Sequence, residues 1–117
     1  MKRGEIWTVS GGGDYAGKPR PAVIVQKDGY EALDSVTVCL LTSDAAAVPL
    51  TRPKIEPSEV NGLRGPSFLM VDKISTLLKS KLGKRIGRLA DKDIARLNRA
   101  TLVFLGITAS PRERKSG

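Results

Sequence analysis

Short apolar runs separated by polar or glycine-containing segments dominate the first three quarters of the chain. Their β-branched content and short length predict strands at 3–9, 21–26 and 36–41. Further short strands are predicted at 52–56 (an edge strand between two prolines), at 67–71, at 73–77 and around 84–86. Loop chemistry, including Asp28-Gly29 and Asn61-Gly62, separates several of these runs.

A different periodicity follows near the end of the chain and predicts one helix over 91–105. Asp91 is expected to be its N-cap residue, and Gly106 is expected to end it. The stripe on one face is expected to be core or subunit contact and consists of Ile94, Leu97, Thr101, Leu102 and Leu105. Five to seven short strands closed by one helix indicate a small barrel or a tightly curled sheet.

The 117 residues are enough for one domain with a real core, predicted over 1–109, with a flexible basic tail at 110–117. The longest apolar runs are far below the roughly 20 residues that span a bilayer. The strand pattern begins at once, so no signal peptide is expected. The single cysteine, Cys39, lies in an apolar run and is expected to be buried. These features favour a cytoplasmic protein with no membrane association.

The net charge of +8 is unevenly distributed along the chain. Residues 1–72 carry 8 Lys/Arg against 9 Asp/Glu, whereas residues 73–117 carry 12 against 3, a balance of +9. Such asymmetry favours a polyanionic partner, because neutralising phosphates releases counterions. The alternative is a solvated basic helix that only keeps the protein soluble.

A glycine-rich segment at 10–18 follows the first predicted strand. No GKS or GKT sequence and no helical pattern follow it, which excludes a P-loop. Two interpretations remain open for this segment: a mobile flap over a site, or a flexible hairpin connection.

Polar chemistry stands at the ends of two apolar strands. Arg20 lies between Pro19 and Pro21 where one strand begins, and Thr42-Ser43 stand where the next strand ends. If these strands are neighbours, a cation and a hydroxyl donor meet at one edge of the sheet. The planar fork of arginine donates two hydrogen bonds to phosphate oxygens, so a phosphodiester suits this pair.

The chain contains no histidine. This excludes Ser-His-Asp and Cys-His nucleophile systems and a two-histidine ribonuclease mechanism. The carboxylates are scattered, so no metal site is predicted. RNA supplies its own nucleophile, the 2′-hydroxyl, and a protein that cleaves it needs only to orient that oxygen, stabilise charge and move protons. Arginine stays protonated near neutral pH, and the residues identify no good general base.

An ordered set of segments resembles the MazF/PemK toxins of bacterial toxin–antitoxin systems. The resemblance covers about residues 2–107, and the order of the segments makes it specific. The matching segments are Arg3-Gly4-Glu5-Ile6-Trp7, the glycine-rich loop, 19–25, Leu41-Thr42-Ser43, 71–76, 81–83, 86–89 and the helix ending at Leu105-Gly106.

The resemblance implies a mainly β fold with a C-terminal helix, an SH3-like β-barrel of the CcdB/PemK type, and a symmetric homodimer. It also implies a cofactor-free, metal-independent endoribonuclease that cuts single-stranded RNA at short motifs, leaves cyclic-phosphate and 5′-hydroxyl ends, and is neutralised by a cognate antitoxin. By position, Arg20 and Thr42 match the catalytic arginine and threonine. The expected RNA-binding residues are Ser43, Lys18, Tyr15, Lys73 and Ser75.

Departures from the family concern three positions near its RNA groove. Many members carry glutamine at the positions of Asp44 and Lys73 and a basic residue at that of Ser75, so the cleavage motif does not follow from the resemblance. Only five aromatic residues are present: Trp7, Tyr15, Tyr30, Phe68 and Phe104. Trp7 is expected in the core, which leaves Tyr15 as the better candidate for stacking on an unpaired base.

Two other functions stay open at this point. A toxin on the same barrel that binds DNA gyrase has no need of an Arg20/Thr42 pair. A small basic barrel that binds nucleic acid without cutting it differs from the ribonuclease only in activity.

Overall fold

The computed structural model describes residues 1–10, 19–44 and 52–109, and these form seven strands and one α-helix. The strands are β1 Glu5–Val9, β2 Arg20–Ile24, β3 Ser35–Thr42, β4 Lys54–Ile55, β5 Ser67–Leu69, β6 Ser75–Leu78 and β7 Leu82–Arg88, and the helix is α1 Asp91–Phe104. Every strand pair is antiparallel. The predicted mainly β fold with one C-terminal helix is confirmed. No helix in the described part of the chain is long and apolar enough to cross a membrane.

Strand β3 is the longest strand and the centre of the sheet. The strand order is β4-β5-β3-β2-β1-β7, and β6 also pairs with β3. β2 occupies one edge of β3, while β5 and β6 share the other edge. The chain joins β6 to β7 through a single 3-10 turn, Lys79–Lys81. Because β6 and β7 lie at opposite ends of the run β6-β3-β2-β1-β7, this short connection curls the sheet into a barrel-like form.

The strands predicted at 67–71 and 73–77 are shorter than expected. A 3-10 turn, Val71–Lys73, separates β5 from β6. Val71 is buried and joins the larger apolar cluster, whereas the next residue, Asp72, binds an arginine side chain. The chain therefore turns at this point to satisfy a core contact and an ion pair that its strand-like sequence does not reveal.

Two apolar clusters lie on the two faces of the sheet. The larger cluster includes the helix residue Leu97 and consists of Ile6, Val23, Cys39, Leu41, Ile55, Leu69, Val71, Leu89 and Leu97. The smaller cluster consists of Ala22, Ile24, Val36 and Val38, with partly buried Trp7, Val9, Leu40, Leu77 and Leu82 packed against it. Successive side chains of a strand point to opposite faces, so even-numbered positions of β2 and β3 face the smaller cluster. Trp7 packs there, as predicted.

Helix α1 covers the larger cluster through Leu97, with Ile94 and Ala100 packed beside it. The predicted N-cap is wrong: Ala90 occupies that position with extended backbone angles, and no side chain of the described residues caps the helix. Asp91 is instead the first helical residue and forms an exposed ion pair with Arg88 at 3.5 Å. A carboxylate in the first turn still opposes the positive end of the helix dipole.

The C-terminal end of α1 is closed as predicted, at Gly106, which has φ +75°. The amide of Gly106 donates to the carbonyl of Val103, and that of Ile107 donates to the carbonyl of Leu102. This pair of bonds is a Schellman motif, for which glycine has the required conformational freedom. The predicted apolar stripe is divided, because Leu97 is buried whereas Leu102 and Leu105 are exposed.

Candidate active site

Strands β2 and β3 bring the two predicted polar ends together. Their register pairs Ala22 with Leu40, and each further step along β2 moves one residue back along β3. Continued in the other direction, the same register places Arg20, the first residue of β2, opposite Thr42, the last residue of β3. The two residues therefore lie at the same end of neighbouring strands, each two positions beyond the Ala22–Leu40 pair.

Arg20 and Thr42 also share a face. Residues paired across an antiparallel ladder point to the same side, and so do residues two apart on one strand. Ala22 and Leu40 both belong to the smaller apolar cluster. Arg20 and Thr42 thus lie on that same side, on the face opposite α1. Thr42 is 8% exposed and Arg20 is half-buried.

The Thr42 hydroxyl is held in place by the chain that follows it. The backbone amide of Asp44 donates to Thr42 Oγ1 at 3.2 Å. Because the hydroxyl oxygen is the acceptor in this bond, its own hydrogen can be donated to a phosphoryl oxygen. Arg20 supplies charge-assisted donors, and Thr42 supplies a neutral one.

The ladder continues on both sides of this pair. Thr42 pairs with Phe68 on β5, which pairs with Lys54 on β4. On the other side Val9 of β1 pairs with both Arg20 and Leu82 of β7. We call this line of positions the transverse row, in which the step from Thr42 to Arg20 is the continued β2–β3 register and the other steps are recorded pairs: Lys54, Phe68, Thr42, Arg20, Val9 and Leu82. Neighbouring strands are about 4.8 Å apart, so the row is roughly 24 Å long.

A bidentate ion pair between Arg52 and Asp72 links two segments of the chain on the β4 side of the transverse row. Arg52 Nε and its terminal nitrogen each donate to a different Asp72 carboxylate oxygen, both at 2.8 Å. The Arg52 side chain is 9% exposed and that of Asp72 is 25% exposed. The Arg52 guanidinium holds the pKa of Asp72 below its ordinary value, and the same bond raises the pKa of Arg52. The pair links the segment before β4 to the turn after β5.

Cys39 lies fully buried on β3, as predicted. Burial, together with the nearby negative charge of Asp72, raises the pKa of its thiol to about 12. A thiol in this state is protonated near neutral pH and is a poor nucleophile. Its place is in the larger apolar cluster, on the face away from Arg20 and Thr42.

Comparison with known proteins identifies the family to which this chain belongs. The family model described as "PemK-like, MazF-like toxin of type II toxin-antitoxin system" matches residues 2–105. The chain belongs to this family. A curated relative from Mycolicibacterium smegmatis, "Probable endoribonuclease MazF", is 49% identical over 107 residues, covering 92% of this chain and 98% of the relative.

More distant members agree with this result. "Endoribonuclease MazF" from Staphylococcus saprophyticus is 31% identical over 113 residues, covering 92% of each chain. A solved structure described as "Mycobacterium tuberculosis toxin MazF-mt6" superposes with a TM-score of 0.73 at 26% identity, covering 87% of this chain and 96% of that one. The expected fold of the PemK-like, MazF-like family is therefore confirmed.

The structure places the other residues expected from the PemK/MazF resemblance at different distances from the pair. Ser43 follows Thr42 directly and is exposed. Ser75 pairs with Val38, four residues before Thr42 on β3, which is about 13 Å away along the strand. The Ser75 hydroxyl donates to the carbonyl of Lys73, and both residues are exposed. Lys18 and Tyr15 lie outside the described residues.

Part of the basic excess of this PemK/MazF-family chain lies at the β7 end of the transverse row. Lys81 precedes Leu82, and its carbonyl accepts a hydrogen bond from the amide of Ser10. Lys84 is bonded through its amide to Thr8 Oγ1. Both lysines are exposed. Three of the arginines in this part of the chain are instead paired with carboxylates: Arg85 with Glu5, Arg88 with Asp91 and Arg96 with Asp93.

A surface cavity found among the described residues lies away from Arg20 and Thr42. That cavity, about 460 Å³, is lined by residues 31–34 and 78–80. Ser35 pairs with Leu78 at the opposite end of β3 from Thr42, so the cavity is remote from the pair. Within 1–10, 19–44 and 52–109, no three Cys, Asp or Glu side chains converge as metal ligands would.

The sequence alone does not mark Lys54 or Phe68 of the transverse row as site residues. Phe68 is one of five aromatic residues, and Lys54 lies in a predicted edge strand. Alternation of Ser67, Phe68 and Leu69 indicates that Phe68 faces away from its neighbours, but it does not say which face. Only the β3–β5 register, formed between residues 26 apart, places Phe68 beside Thr42.

Proposed function

We propose that this protein is a metal-independent endoribonuclease toxin that cleaves single-stranded RNA, with Arg20 and Thr42 as its catalytic residues. The observation that carries the proposal is the antiparallel pairing of β2 with β3, whose continued register sets these two residues opposite each other, in a chain of the PemK-like, MazF-like family. The curated relatives at 49% and 31% identity are both named endoribonucleases.

The chemistry proposed for this pair uses the nucleophile that RNA carries. The 2′-oxygen attacks the adjacent phosphorus, so that an O2′–P bond forms and the P–O5′ bond breaks. The 2′-hydroxyl loses its proton, and the departing 5′-oxygen gains one. The products are a 2′,3′-cyclic phosphate and a 5′-hydroxyl end.

The contribution of the protein is to stabilise the charge that develops on the phosphoryl oxygens. Arg20 donates two hydrogen bonds from its planar fork to these oxygens, and the Thr42 hydroxyl donates another. Preorganised donors of this type typically lower a barrier by a few kcal/mol each. Ser43 stands beside Thr42 and is proposed to bind the phosphate or a neighbouring sugar.

The remaining RNA contacts are proposed along the face that holds the pair. Lys73 and Ser75 lie on the β6 side, Lys81 and Lys84 lie on the β7 side, and Lys18 and Tyr15 belong to the segment after β1. Cations on both sides of the pair would favour a polyanion across the row. Their contacts go to phosphates and strengthen binding without selecting a base.

The proposed biology follows from the family. The toxin acts in the cytoplasm as a homodimer, inhibits translation and growth by cutting mRNA, and is neutralised by a cognate antitoxin. An acidic or amphipathic antitoxin segment lying across the basic face would displace RNA by charge complementarity.

The deciding experiment is cleavage of mixed-sequence single-stranded RNA by the purified protein in excess EDTA. Cutting at a recurring short motif with cyclic-phosphate ends is expected. Arg20→Ala should abolish it, and Arg20→Lys should restore little, because lysine keeps the charge but lacks the planar fork. The matched control is Arg99→Ala, which removes an exposed arginine from α1, on the other face of the sheet; it should cut like wild type.

Three outcomes would contradict the proposal. Binding without cutting would favour a non-enzymatic nucleic-acid-binding barrel. Neither binding nor cutting would direct attention to DNA gyrase. Full activity of Arg20→Ala would remove Arg20 from the site, even if the RNA is cut.

A further inference from the structure

The transverse row continues past Thr42 with an aromatic and a cationic side chain. Phe68 is paired with Thr42, and Lys54 is paired with Phe68. On the same strands Leu69 and Ile55 are completely buried in the larger cluster, on the face towards α1. Alternation then places Phe68 and Lys54 on the opposite face, the one that carries Thr42.

Phe68 is not held in place as a core residue. It belongs to neither apolar cluster and is partly exposed, whereas its neighbours Ser67 and Leu69 are buried. Lys54 is more exposed, and its described ionic contact is with Glu56 at 3.3 Å. A surface ion pair of this kind contributes little to stability, so it leaves Lys54 available to a phosphate.

We propose that Phe68 and Lys54 form a nucleotide-binding subsite next to the scissile phosphate, with Phe68 stacking on a base and Lys54 contacting a backbone phosphate. This inference rests on the proposed ribonuclease function. Directly paired residues have Cβ atoms about 4.5–5.5 Å apart, so a base attached beside a phosphate on Thr42 is within reach of the Phe68 ring. Lys54 stands one strand further, about 10 Å from Thr42 across the sheet.

The chemistry of the two side chains fixes what the subsite recognises. A phenyl ring has no hydrogen-bonding group, so it accepts any base with an exposed π-face. Lysine binds a phosphate as a point charge and reads no base edge. The subsite therefore supplies affinity and alignment for single-stranded RNA, whatever base is present there.

The test begins by mapping the cleavage site of the wild-type protein. A short RNA around that site is then made with a 2′-deoxy nucleotide at the scissile position, so that it binds but is not cut. Each base near the scissile phosphate is removed in turn to leave an abasic position, and the dissociation constant is measured by fluorescence anisotropy. The wild-type protein should bind the RNA about tenfold or more weakly when the base at one position flanking the scissile phosphate is removed.

Phe68→Leu should bind the intact RNA about tenfold more weakly and should be insensitive to removal of the same base. Phe68→Trp should restore both affinity and sensitivity, because indole also stacks. Tyr30→Leu is the matched control: it removes an exposed aromatic from the turn after β2, at the opposite end of β3 from Thr42. Tyr30→Leu should leave both the affinity for intact RNA and the sensitivity to base removal unchanged.

Lys54→Gln is tested through the salt dependence of binding. Loss of one phosphate contact on single-stranded RNA should lower the slope of log Kd against log salt by about 0.7. Lys27→Gln removes an exposed lysine from the same distant turn as Tyr30 and should leave the slope unchanged.

Failure of this inference is distinguishable from failure of the proposed function. If wild type cuts RNA and Arg20→Ala does not, but no flanking base matters or Phe68→Leu keeps the wild-type profile, the subsite is overturned and the ribonuclease stands. If Phe68→Leu fails to fold, the subsite is still tested by the effect of each base removal on the affinity of wild type and of Phe68→Trp. If wild type neither binds nor cuts RNA, both proposals fall.

Discussion

At the scale of single residues, the proposed site depends on where two hydrogen-bond donors point. Thr42 ends β3 with its hydroxyl accepting from the Asp44 amide, and Arg20 begins β2 on the same face. Neither side chain needs an unusual ionisation state for the charge-stabilising role. Their effect should therefore come from position, and removing one hydroxyl should be enough to show it.

Thr42→Val keeps the shape and the β-branching of Thr42 but removes its hydroxyl. Cleavage of the mapped RNA under single-turnover conditions should slow by about 10²- to 10³-fold, the cost of losing one preorganised donor. The control is Thr37→Val on the same strand, where the hydroxyl bonds to Thr76 Oγ1 at 2.7 Å on the other face. A Thr42→Val protein as active as wild type would contradict the proposed role.

The ion pair between Arg52 and Asp72 acts on stability. Asp72→Asn leaves a nearly buried guanidinium without its charged partner and should lower the free energy of unfolding by about 2 kcal/mol at neutral pH. The pKa of Asp72 is lowered in the folded state. Its carboxylate therefore stabilises the protein at pH values above 3.8, which is its ordinary pKa, and this contribution is lost as the pH falls through the lower pKa of the folded state.

Urea unfolding of wild type and Asp72→Asn from pH 7 down to pH 2 measures this effect. The difference in free energy of unfolding between the two proteins should be constant above about pH 5 and should shrink below about pH 4. Asp91→Asn, which removes the exposed partner of Arg88, should cost at most a few tenths of a kcal/mol throughout. A difference that does not depend on pH would show that the charge of Asp72 is not what stabilises the turn.

At the scale of elements, the loop before β5 docks closely onto β7. The amide of Arg88 donates to the carbonyl of Val60 at 2.9 Å. Buried Asn61 holds the loop together, accepting from the amides of Ser58 and Leu63 and donating to the carbonyl of Glu56. A Cβ on Gly87 would lie 2.4 Å from the Val60 and Asn61 carbonyl oxygens, which are backbone atoms that cannot turn aside.

Gly87→Ala should therefore destabilise the protein by about 3 kcal/mol, since relief requires the loop to move away from β7. Gly65→Ala is the control, because no atom of residues 1–10, 19–44 or 52–109 lies within 4 Å of a Cβ there; its effect should stay within about 0.5 kcal/mol. Thermal unfolding followed by circular dichroism measures both. Equal melting temperatures for the two variants would mean that the close approach is not maintained.

Elements could be predicted from the sequence where local pattern decides them. The apolar runs located β2 and β3 to within two residues at each end, and the glycine stop of α1 follows from local geometry. The N-cap and the turn at Val71–Lys73 were mispredicted because distant contacts decide them. Leu89 is buried in the core and the chain enters the helix at Ala90, while Asp72 is drawn to Arg52, 20 residues away in sequence.

The same distinction between local pattern and distant contacts applies to the candidate site. Two consecutive apolar strands with polar ends predict that the strands pair and carry Arg20 and Thr42 to the same end, because a hairpin pairs consecutive strands; the pairing of β2 with β3 is as predicted. Phe68 and Lys54 could not be placed, since their position depends on the register of strands that are not consecutive in the chain. A one-residue slip of β5 would turn Phe68 to the other face.

At the scale of the whole molecule, apolar side chains are concentrated at the C-terminal end of α1. The exposed fractions of Leu102, Phe104, Leu105 and Ile107 range from 40% to 68%. Four large apolar side chains within six residues are unusual on a surface that stays in water. We interpret this patch as part of the contact between two copies in the proposed homodimer.

Leu105→Glu should weaken that contact by placing a charge in an apolar interface. Sedimentation equilibrium should give about twice the 12.6 kDa chain mass for wild type and a lower average mass for the variant. Leu33→Glu, at a comparably exposed leucine in the turn before β3, should leave the mass unchanged. A monomeric wild type would overturn the homodimer; a dimeric Leu105→Glu would place its interface elsewhere.

The buried thiol on β3 has a practical consequence for following RNA on this protein. Cys39 is the only cysteine of the chain, it is inaccessible, and its pKa of about 12 leaves almost no thiolate at neutral pH. The natural chain should therefore resist maleimide dyes without any prior cysteine removal. A single Ser43→Cys substitution, at an exposed position next to Thr42, would then carry one fluorophore at one site and report the arrival and release of substrate in real time.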